Sequence, residues 1–223
     1  MQDWNDFWSR FSEEGYDYVG ILPENKRMLE RISNLVGTNR KVLDAGCGSG
    51  NLTVRLASNS NHVTAIDFSE AMVKAVQEKV SSLKNVAVQK GNVTQLGFRD
   101  GFFDVVVSVN VLFNLDEPEK AIKEMKRVLR SNGRLIISTP SKDAGLSSDF
   151  LRRVIVDARE GNVEPEKLKL LERFNRVLFE KGGMKFTPSE DELKILLAKN
   201  GLEILTFDKV YYGNNFLVEA INI

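Results

Sequence analysis

The chain has 223 residues, of which 42% are hydrophobic and 28% are charged, and it contains only five prolines. This length suits one domain with a sizeable core, and the composition excludes collagen-like, disordered and disulfide-scaffold proteins. The 31 basic and 31 acidic side chains cancel, which removes the overall positive charge that nonspecific nucleic-acid binding relies on. We therefore expect a packed globular protein of enzyme size.

Cysteine content and the first residues indicate the compartment. Cys47 is the single cysteine, so an internal disulfide and a cysteine-rich zinc site are excluded, and we expect no metal site. The start of the chain has no basic segment followed by an apolar one, and no apolar run approaches the roughly 18 residues of a membrane span. These features predict a cytoplasmic protein without a membrane segment.

Strands and helices alternate in the pattern up to about residue 140. Helical spacing predicts N-terminal helices near 4–11 and 23–36, and later helices after Gly50, after a Ser69 cap and over 118–130. This alternation predicts a parallel sheet covered on both faces. Short apolar runs predict its strands at Lys41–Ala45, His62–Asp67, Val86–Gln89, Phe103–Val109 and Arg134–Thr139.

After Pro140 the pattern changes. Residues 147–183 have helical spacing, with one predicted apolar stripe formed by Leu151, Val154, Ile155 and Ala158. A short helix over 190–200 precedes two strands, 202–209 and 215–223, which the turn at 211–214 joins as an antiparallel hairpin. We predict a single domain over residues 1–223, with N-terminal helices in 1–38 and a helical lid insertion at 145–185.

The strongest chemical signal is the loop Asp44-Ala45-Gly46-Cys47-Gly48-Ser49-Gly50, between the first strand and its helix. Alternate glycines let the backbone turn sharply and approach a ligand, while the following helix N-terminus supplies unpaired N–H donors. Asp67 ends the second strand, where an acidic side chain can accept both hydroxyls of a ribose. The combination predicts a nucleoside-containing cofactor.

The identity of that cofactor depends on the spacing within the loop. A loop that binds a nicotinamide dinucleotide has the pattern G-x-G-x-x-G, but here Asn51 stands at the position of the third glycine. In addition, the negative charge of Asp44 would repel a pyrophosphate. The loop instead suits a ligand with a cationic end. The pattern D-x-G-x-G-x-G, followed by an acidic second-strand end, resembles the class I S-adenosylmethionine-dependent methyltransferases, in which the loop passes the methionine part and the acid holds the ribose.

Further segments extend this resemblance over roughly residues 40–140. Residues 67–72 resemble a D-x-S-x-x-M segment, in which Phe68 and Met72 would flank the adenine. Gly91-Asn92-Val93 takes the place of a G-D-A motif, with the Asn92 side-chain oxygen offered to the adenine amino group. Segments 103–106 and 128–135 resemble the family's fourth strand and its turn into the fifth. The Tyr16-Asp17 pair resembles an A-x-x-Y-D segment that helps to close the cofactor site.

The resemblance implies an α/β, doubly wound fold. Its mostly parallel seven-stranded sheet would have the order 3-2-1-4-5-7-6, an antiparallel last strand and a helical insertion after strand 5. It also implies that S-adenosyl-L-methionine is the cofactor and that a methyl group is transferred to an acceptor. The expected cofactor-binding residues are Tyr16, Asp44, Gly46, Cys47, Gly48, Asp67, Phe68, Met72, Gly91, Asn92, Val93 and Asn110.

Acceptor-side residues are expected after the fourth strand, because ligands of such sheets lie beyond the carboxyl ends of the strands. We expect Asn110 to position the acceptor by backbone or side chain, Phe113 to form a wall and Asn114 to orient the acceptor. His62, the only histidine, precedes a strand in a solvated turn, so no histidine base is predicted. Residues 111–113, which follow Asn110, contain no proline, and this argues against methylation of an exocyclic base nitrogen. Cys47 lies in the cofactor loop, and this argues against methylation of a cytosine carbon, which needs a cysteine nucleophile near the end of the fourth strand.

A small-molecule acceptor is therefore our preferred interpretation, with neither nucleic acid nor membrane as a partner. One alternative is a catalytically idle partner subunit or regulatory protein that binds the cofactor without turnover. A nicotinamide-dependent oxidoreductase is a third and weaker alternative. The sequence does not identify the acceptor, its reacting atom or the oligomeric state.

Overall fold

The computed structural model describes residues 22–145, 147–161 and 184–223, together with positions 163, 164, 166 and 169. Its helices are α1 (Pro23–Val36), α2 (Asn51–Ser58), α3 (Glu70–Lys79), α4 (Pro118–Val128), α5 (Ser148–Glu160) and α6 (Glu190–Lys199). Its strands are β1 (Lys41–Ala45), β2 (His62–Asp67), β3 (Val86–Lys90), β4 (Phe103–Val109), β5 (Leu129–Pro140), β6 (Leu202–Val210) and β7 (Asn215–Asn222). Short 3-10 helices span Leu112–Asn114 and Tyr211–Gly213.

The seven strands form one sheet in the order β3-β2-β1-β4-β5-β7-β6. Strands β1 to β5 pair in parallel, whereas β7 runs antiparallel to both of its neighbours. The predicted fold class, strand order and antiparallel last strand are therefore confirmed. The carboxyl ends of the parallel strands meet at one edge of the sheet, where the loops after β1, β2, β3 and β4 come together.

Both faces of the sheet are covered because its central strands are apolar on both sides. In β5, Leu135 and Ile137 join the core that contains α4 and α6. Ile136, between them, points to the opposite core, which contains α1 and α2. This alternation follows the two-residue period of a strand, and it fixes the helices as two layers around the sheet.

The sequence placed the start of β5 wrongly. The strand begins at Leu129 instead of Arg134, and α4 ends at Val128 instead of Arg130. Asn132 has a left-handed φ of 58°, and the pairing of β4 with β5 shifts register between Phe103 and Val105. The polar segment 131–133 is thus an irregularity inside the strand, although its composition is typical of a turn.

Only the first part of the predicted insertion lies among the described residues. In α5, Val154 and Ala158 are buried as predicted, but Ile155 is 44% exposed and Phe150 occupies the buried stripe. These buried side chains pack on Leu22, which directly precedes α1. The predicted helix at 4–11, Tyr16 and the later part of the insertion fall outside the described residues. Within the described ranges, no helix has the length and apolarity needed to cross a membrane.

The C-terminal end of α1 is attached to the sheet through Arg134. Its guanidinium donates to the carbonyls of Leu35 at 2.6 Å and Val36 at 3.0 Å, and to Glu219 on β7 at 2.8 Å. Glu219 is buried, and Arg134 is its ion-pair partner. One guanidinium thereby donates hydrogen bonds to two carbonyls at the end of a helix and to a buried carboxylate.

We expect Arg134→Met to lower the free energy of unfolding by about 3 kcal/mol, because it leaves a buried carboxylate and two helix-end carbonyls without their donor. Urea titration followed by circular dichroism measures the change. Lys194→Met is the matched control, since Lys194 pairs with Glu190 on the surface and should cost less than about 0.5 kcal/mol. Equal losses in the two variants would contradict the assigned role of Arg134.

Candidate functional site

The glycine loop between β1 and α2 is held against the end of β2. The N–H groups of Gly46 and Cys47 donate to the carbonyl of Ile66 at 2.8 and 2.9 Å. Gly46 has a φ of 84°, and a Cβ at this position would lie 2.3 Å from Cγ2 of Val111. Any side chain there would therefore clash with the loop after β4, so glycine is needed for the close approach.

Asp67 is the acidic group at this contact. Its Oδ2 accepts the N–H of Gly48 and its Oδ1 accepts the N–H of Ser69, both at 2.9 Å. Burial raises the pKa of Asp67, while the backbone N–H groups of Ser69, Gly48 and Phe68 act in the opposite direction. Each carboxylate oxygen has two acceptor positions, so the bonds to Gly48 and Ser69 leave acceptor capacity for a ligand.

Asp44 is buried under the loop, where Oγ1 of Thr53 donates to its carboxylate at 2.6 Å. Burial raises the pKa of Asp44 to about 7, the Thr53 hydrogen bond opposes this rise, and the nearby charge of Asp67 adds to it. Burial also raises the pKa of the Cys47 thiol, with the charges of Asp44 and Asp67 contributing. Cys47 is therefore held as a thiol, which makes it a poor nucleophile.

Two cavities border the loop, and the residues that line both of them define what we call their junction. The larger, of about 390 Å³, is lined by residues of the β2, β3 and β4 ends, among them Asp67, Phe68, Met72, Gly91, Asn92, Val93 and Asn114. The smaller, of about 60 Å³, lies between the loop and α1 and is lined by Asp44, Cys47, Ser49, Asn25 and Leu29, among others. Both cavities share Gly46, Gly48, Val109 and Asn110.

Asn110 stands at this junction with a fixed backbone. Its φ is 56°, a left-handed value that asparagine tolerates better than most residues, and its N–H donates to the carbonyl of Ser138 at 2.8 Å. Its side-chain Oδ1 accepts a hydrogen bond of 2.6 Å from Nδ2 of Asn215 on β7. The end of β4 is thereby connected to both β5 and β7.

The structure brings most of the predicted residues together, but it places Asn92 and Phe113 differently from expectation. Oδ1 of Asn92 accepts both the N–H and the hydroxyl of Thr94, each at 2.9 Å. This local turn occupies the oxygen that was expected to be offered to an adenine amino group. Phe113 is buried and lines neither cavity; its carbonyl accepts the N–H groups of Lys185 and Phe186 at 2.7 and 3.2 Å.

Asn114, in contrast, lines the larger cavity, and its buried Oδ1 has no hydrogen-bond partner among the residues that the structure describes. A buried polar atom in this state is stabilised when a donor reaches it. Sequence reasoning overlooked Asn215 and Asn25, which reach the site from β7 and α1, and no local motif marks either of them. Among the described residues, no group of three or more histidine, cysteine or acidic side chains is arranged to hold a metal.

The raised pKa of Asp44 gives a pH-dependent prediction. In the folded protein the pKa of Asp44 is about 7, above its ordinary value of 3.8. The stability that neutral Asp44 contributes is therefore fully present below pH 3.8 and is lost as the pH rises through 7. Between about pH 5 and pH 7 the wild type should lose roughly 1.4 kcal/mol per pH unit through this group, and Asp44→Asn should lack this loss. Urea unfolding at each pH measures the difference.

Asp104→Asn is the control for that experiment. Burial acts to raise the pKa of Asp104, but the Lys41 N–H and the Arg130 guanidinium outweigh it and hold the pKa below its ordinary value. Its stabilising contribution is lost only as the pH falls through that low value, so the difference between wild type and Asp104→Asn should stay constant from about pH 5 to pH 7. Parallel curves for Asp44→Asn and the wild type would refute the Asp44 prediction.

Several known proteins resemble this chain in sequence. Residues 43–137 match a family described as methyltransferase domain. Demethylmenaquinone methyltransferase of Staphylococcus aureus strain MRSA252 is 35% identical over 118 residues, which cover 51% of this chain and 49% of that protein. The chain thus spans about half the length of the curated relatives it matches.

Solved structures extend the similarity over more of the chain at lower identity. A SAM-dependent methyltransferase from Aquifex aeolicus is 22% identical with a TM-score of 0.66, covering 100% of both chains. The [4+2]-cyclase SpnF is 18% identical with a TM-score of 0.67, covering 89% of this chain and 80% of that one. These likenesses establish the fold.

The family's cofactor, S-adenosylmethionine, fits the residues present: a glycine cradle with no room for a side chain, a carboxylate with acceptor capacity left, and a second acid beside the smaller cavity. The matched segment also contains the loop, Asp67 and the end of β4. Residues 43–137 therefore match a methyltransferase domain, within a chain that has the class I S-adenosylmethionine-dependent methyltransferase fold.

Proposed function

We propose that the protein binds S-adenosylmethionine across the two joined cavities and transfers its methyl group to a small-molecule acceptor. The observation that carries this proposal is the position of Asp67 and the glycine loop at the junction of a large and a small cavity. A nucleoside fits the volume of the larger cavity, while Asp44 lies beside the smaller one, which would take the amino-acid end.

The predicted cofactor residues other than Asn92, whose side-chain oxygen is bonded to Thr94, have the following tasks in this proposal. Asp67 accepts the ribose hydroxyls with the acceptor positions that the Gly48 and Ser69 bonds leave. Phe68 is 58% exposed at the rim of the larger cavity, where its ring can cover one face of the adenine, and buried Met72 supports the other face. Gly91 and Val93 line the same cavity.

The smaller cavity and the loop hold the other end of the cofactor. Gly46 and Gly48 allow the ligand to approach the backbone, and Cys47 contributes its backbone and a small, unreactive side chain. A cationic group near Asp44 favours the charged carboxylate, because opposite charges stabilise each other. Tyr16, which the resemblance implies as a closing residue, remains part of the proposal without structural support, because it lies outside the described residues.

When bound, S-adenosylmethionine supplies an electrophilic methyl group on a positively charged sulfur, so the protein mainly has to position the acceptor and exclude water. The proposed positioning groups are Asn110, at the junction of the cavities, and Asn114, whose Oδ1 has no partner within the described part of the chain. His62 is exposed at the start of β2, the opposite end from Asp67, so it is not placed to act as a base.

Three observations support a small-molecule acceptor over a nucleic acid. The chain has no net charge, its only cysteine is a buried thiol of raised pKa, and Asn110 lacks the following prolines that aim an asparagine at a base amino group. The relative cited above is named for methylating demethylmenaquinone. The buried thiol also suits the reducing cytoplasm, where we propose that the protein acts.

The principal experiment separates this function from that of an idle cofactor-binding subunit. The protein is incubated with S-adenosylmethionine labelled in the methyl group and with a metabolite fraction, total RNA or duplex DNA, while calorimetry measures cofactor affinity. Label in metabolites supports the proposal. Tight binding without any transfer favours the idle subunit, and label in nucleic acid alone overturns the acceptor class.

Asp67→Ala should weaken binding of S-adenosylhomocysteine at least tenfold, since two ribose hydroxyls lose a charged acceptor at about 1.5–3 kcal/mol each. Asp67→Asn keeps one accepting oxygen and should lose less. Calorimetry measures both, with Asp208→Ala as the control, because Asp208 forms its ion pair with Arg31 on the surface. Unchanged affinity in a folded Asp67→Ala protein would refute the cofactor assignment.

We further propose that the insertion at 145–185 is a lid over the acceptor. In its described part, Asp157 accepts hydrogen bonds from Arg27 and from the Glu24 N–H of α1, and from the Tyr212 hydroxyl. Helix α1 also lines the smaller cavity through Asn25 and Leu29, so α5 is fixed to an element of the site. The chain returns at Lys185, which lines the larger cavity.

The ends of the insertion lie side by side, because the Lys142 N–H donates to the Pro188 carbonyl at 2.8 Å. Residues 146–184 can therefore be replaced by a short glycine-serine linker without stretching the sheet. We expect this variant to bind S-adenosylhomocysteine within about threefold of the wild type and to lose methyl transfer to the metabolite fraction. Retained methyl transfer would contradict the proposed lid. Asp157→Ala is a second, full-length variant, in which α5 loses its hydrogen bonds to α1.

A further inference from the structure

Asn215 holds an unusual position for a residue at the start of β7. It is buried, and its Nδ2 donates to Oδ1 of Asn110 at 2.6 Å while lying 3.4 Å from Oγ of Ser138. Asn110 is the only side chain other than Val109 that is shared by the two described cavities, the other shared residues being glycines. Asn215 thus touches the site through one asparagine, without lining either described cavity itself.

This contact fixes the rotation of the Asn110 amide. Asn215 Nδ2 also faces Oγ of Ser138, whose hydroxyl donates to Sδ of Met28 and so accepts from Asn215. If the Asn110 amide alone turned over, its Nδ2 would face Nδ2 of Asn215, and two donors would oppose each other. The Asn110 backbone cannot relieve the conflict easily, because its left-handed φ and its N–H bond to Ser138 are already fixed. In the described part of the chain, no hydrogen bond occupies Nδ2 of Asn110.

We propose that Asn215 is a positioning residue, which keeps the Asn110 amide turned so that its N–H donor faces the junction of the two cavities. This inference rests on the proposed function, because the junction is where a ligand that fills both cavities passes. The acceptor group that meets Asn110 then has to present a lone pair, as a hydroxyl, carbonyl or neutral amine does. A protonated amine at this point would meet a donor and gain no hydrogen bond from the side chain.

Two analogues of S-adenosylmethionine test the direction of the Asn110 amide, and the experiment does not require that the acceptor be identified. Sinefungin carries an amine in place of the sulfonium methyl, whereas S-adenosylhomocysteine carries nothing there. In Asn215→Ala the Asn110 amide is released and can turn its oxygen to the protonated amine. The preference for sinefungin over S-adenosylhomocysteine, as a ratio of calorimetric Kd values, should rise about tenfold.

The double variant distinguishes positioning from a general structural effect. If Asn215 acts through Asn110, adding Asn215→Ala to Asn110→Ala should change the ratio less than about twofold. Asn222→Ala is the matched control, since Asn222 lies at the other end of β7 and donates to the carbonyls of Leu129 and Arg130. Asn215→Ser, whose hydroxyl is too short to replace the amide, is the second variant if Asn215→Ala does not fold.

The possible results separate the two levels of the proposal. If neither ligand binds the wild type, the proposed function fails and this inference fails with it. If both bind but the ratio is unchanged in Asn215→Ala, or rises equally in the Asn110→Ala background or in Asn222→Ala, the positioning role is overturned while cofactor binding stands. A rise confined to the Asn215 variants supports the role.

Discussion

The site depends on a half-buried carboxylate that accepts hydrogen bonds from two neighbouring loops at once. Asp67 accepts an N–H from the glycine loop and another from Ser69 at the start of α3, and such donors oppose the rise in pKa that burial causes. The loop after β1 and the turn after β2 are therefore positioned relative to each other by the same group that is offered to a ligand. Since Gly46 also packs directly on Val111, the end of β4 belongs to this unit as well.

Features specified by neighbouring residues were predictable from the sequence, whereas features that depend on distant contacts were not. The bounds of β1, β2 and β4 follow from apolar runs, and the Ser69 cap follows from its own turn. Asn215, however, meets Asn110 across 105 positions, and no local pattern marks such a pair. Ile155 fits the helical stripe by spacing, but the neighbour at Leu22 favours burial of Phe150 instead.

The loop region also brings together a buried acid, Asp44, and a half-buried one, Asp67. Burial raises the pKa of both Asp44 and Asp67, and the charge of Asp67 adds to the rise at Asp44. A cationic ligand would relieve this repulsion, whereas an anionic one would increase it. The electrostatics thus support the same choice of ligand that the spacing of the glycines suggested, by an argument that is independent of any motif.

The adjacent ends of the insertion have an evolutionary consequence. Because the backbones of Lys142 and Pro188 are hydrogen-bonded to each other, the two ends of the segment between them are held together. Doubling the length of a flexible connection costs only about 0.6 kcal/mol in closure entropy. A change in the length of the chain between these anchors therefore costs little in closure, provided that the bonds of α5 to α1 are kept. If the insertion is the proposed lid, such an arrangement would let acceptor preference diverge quickly among descendants of one ancestral chain while the cofactor half stays the same.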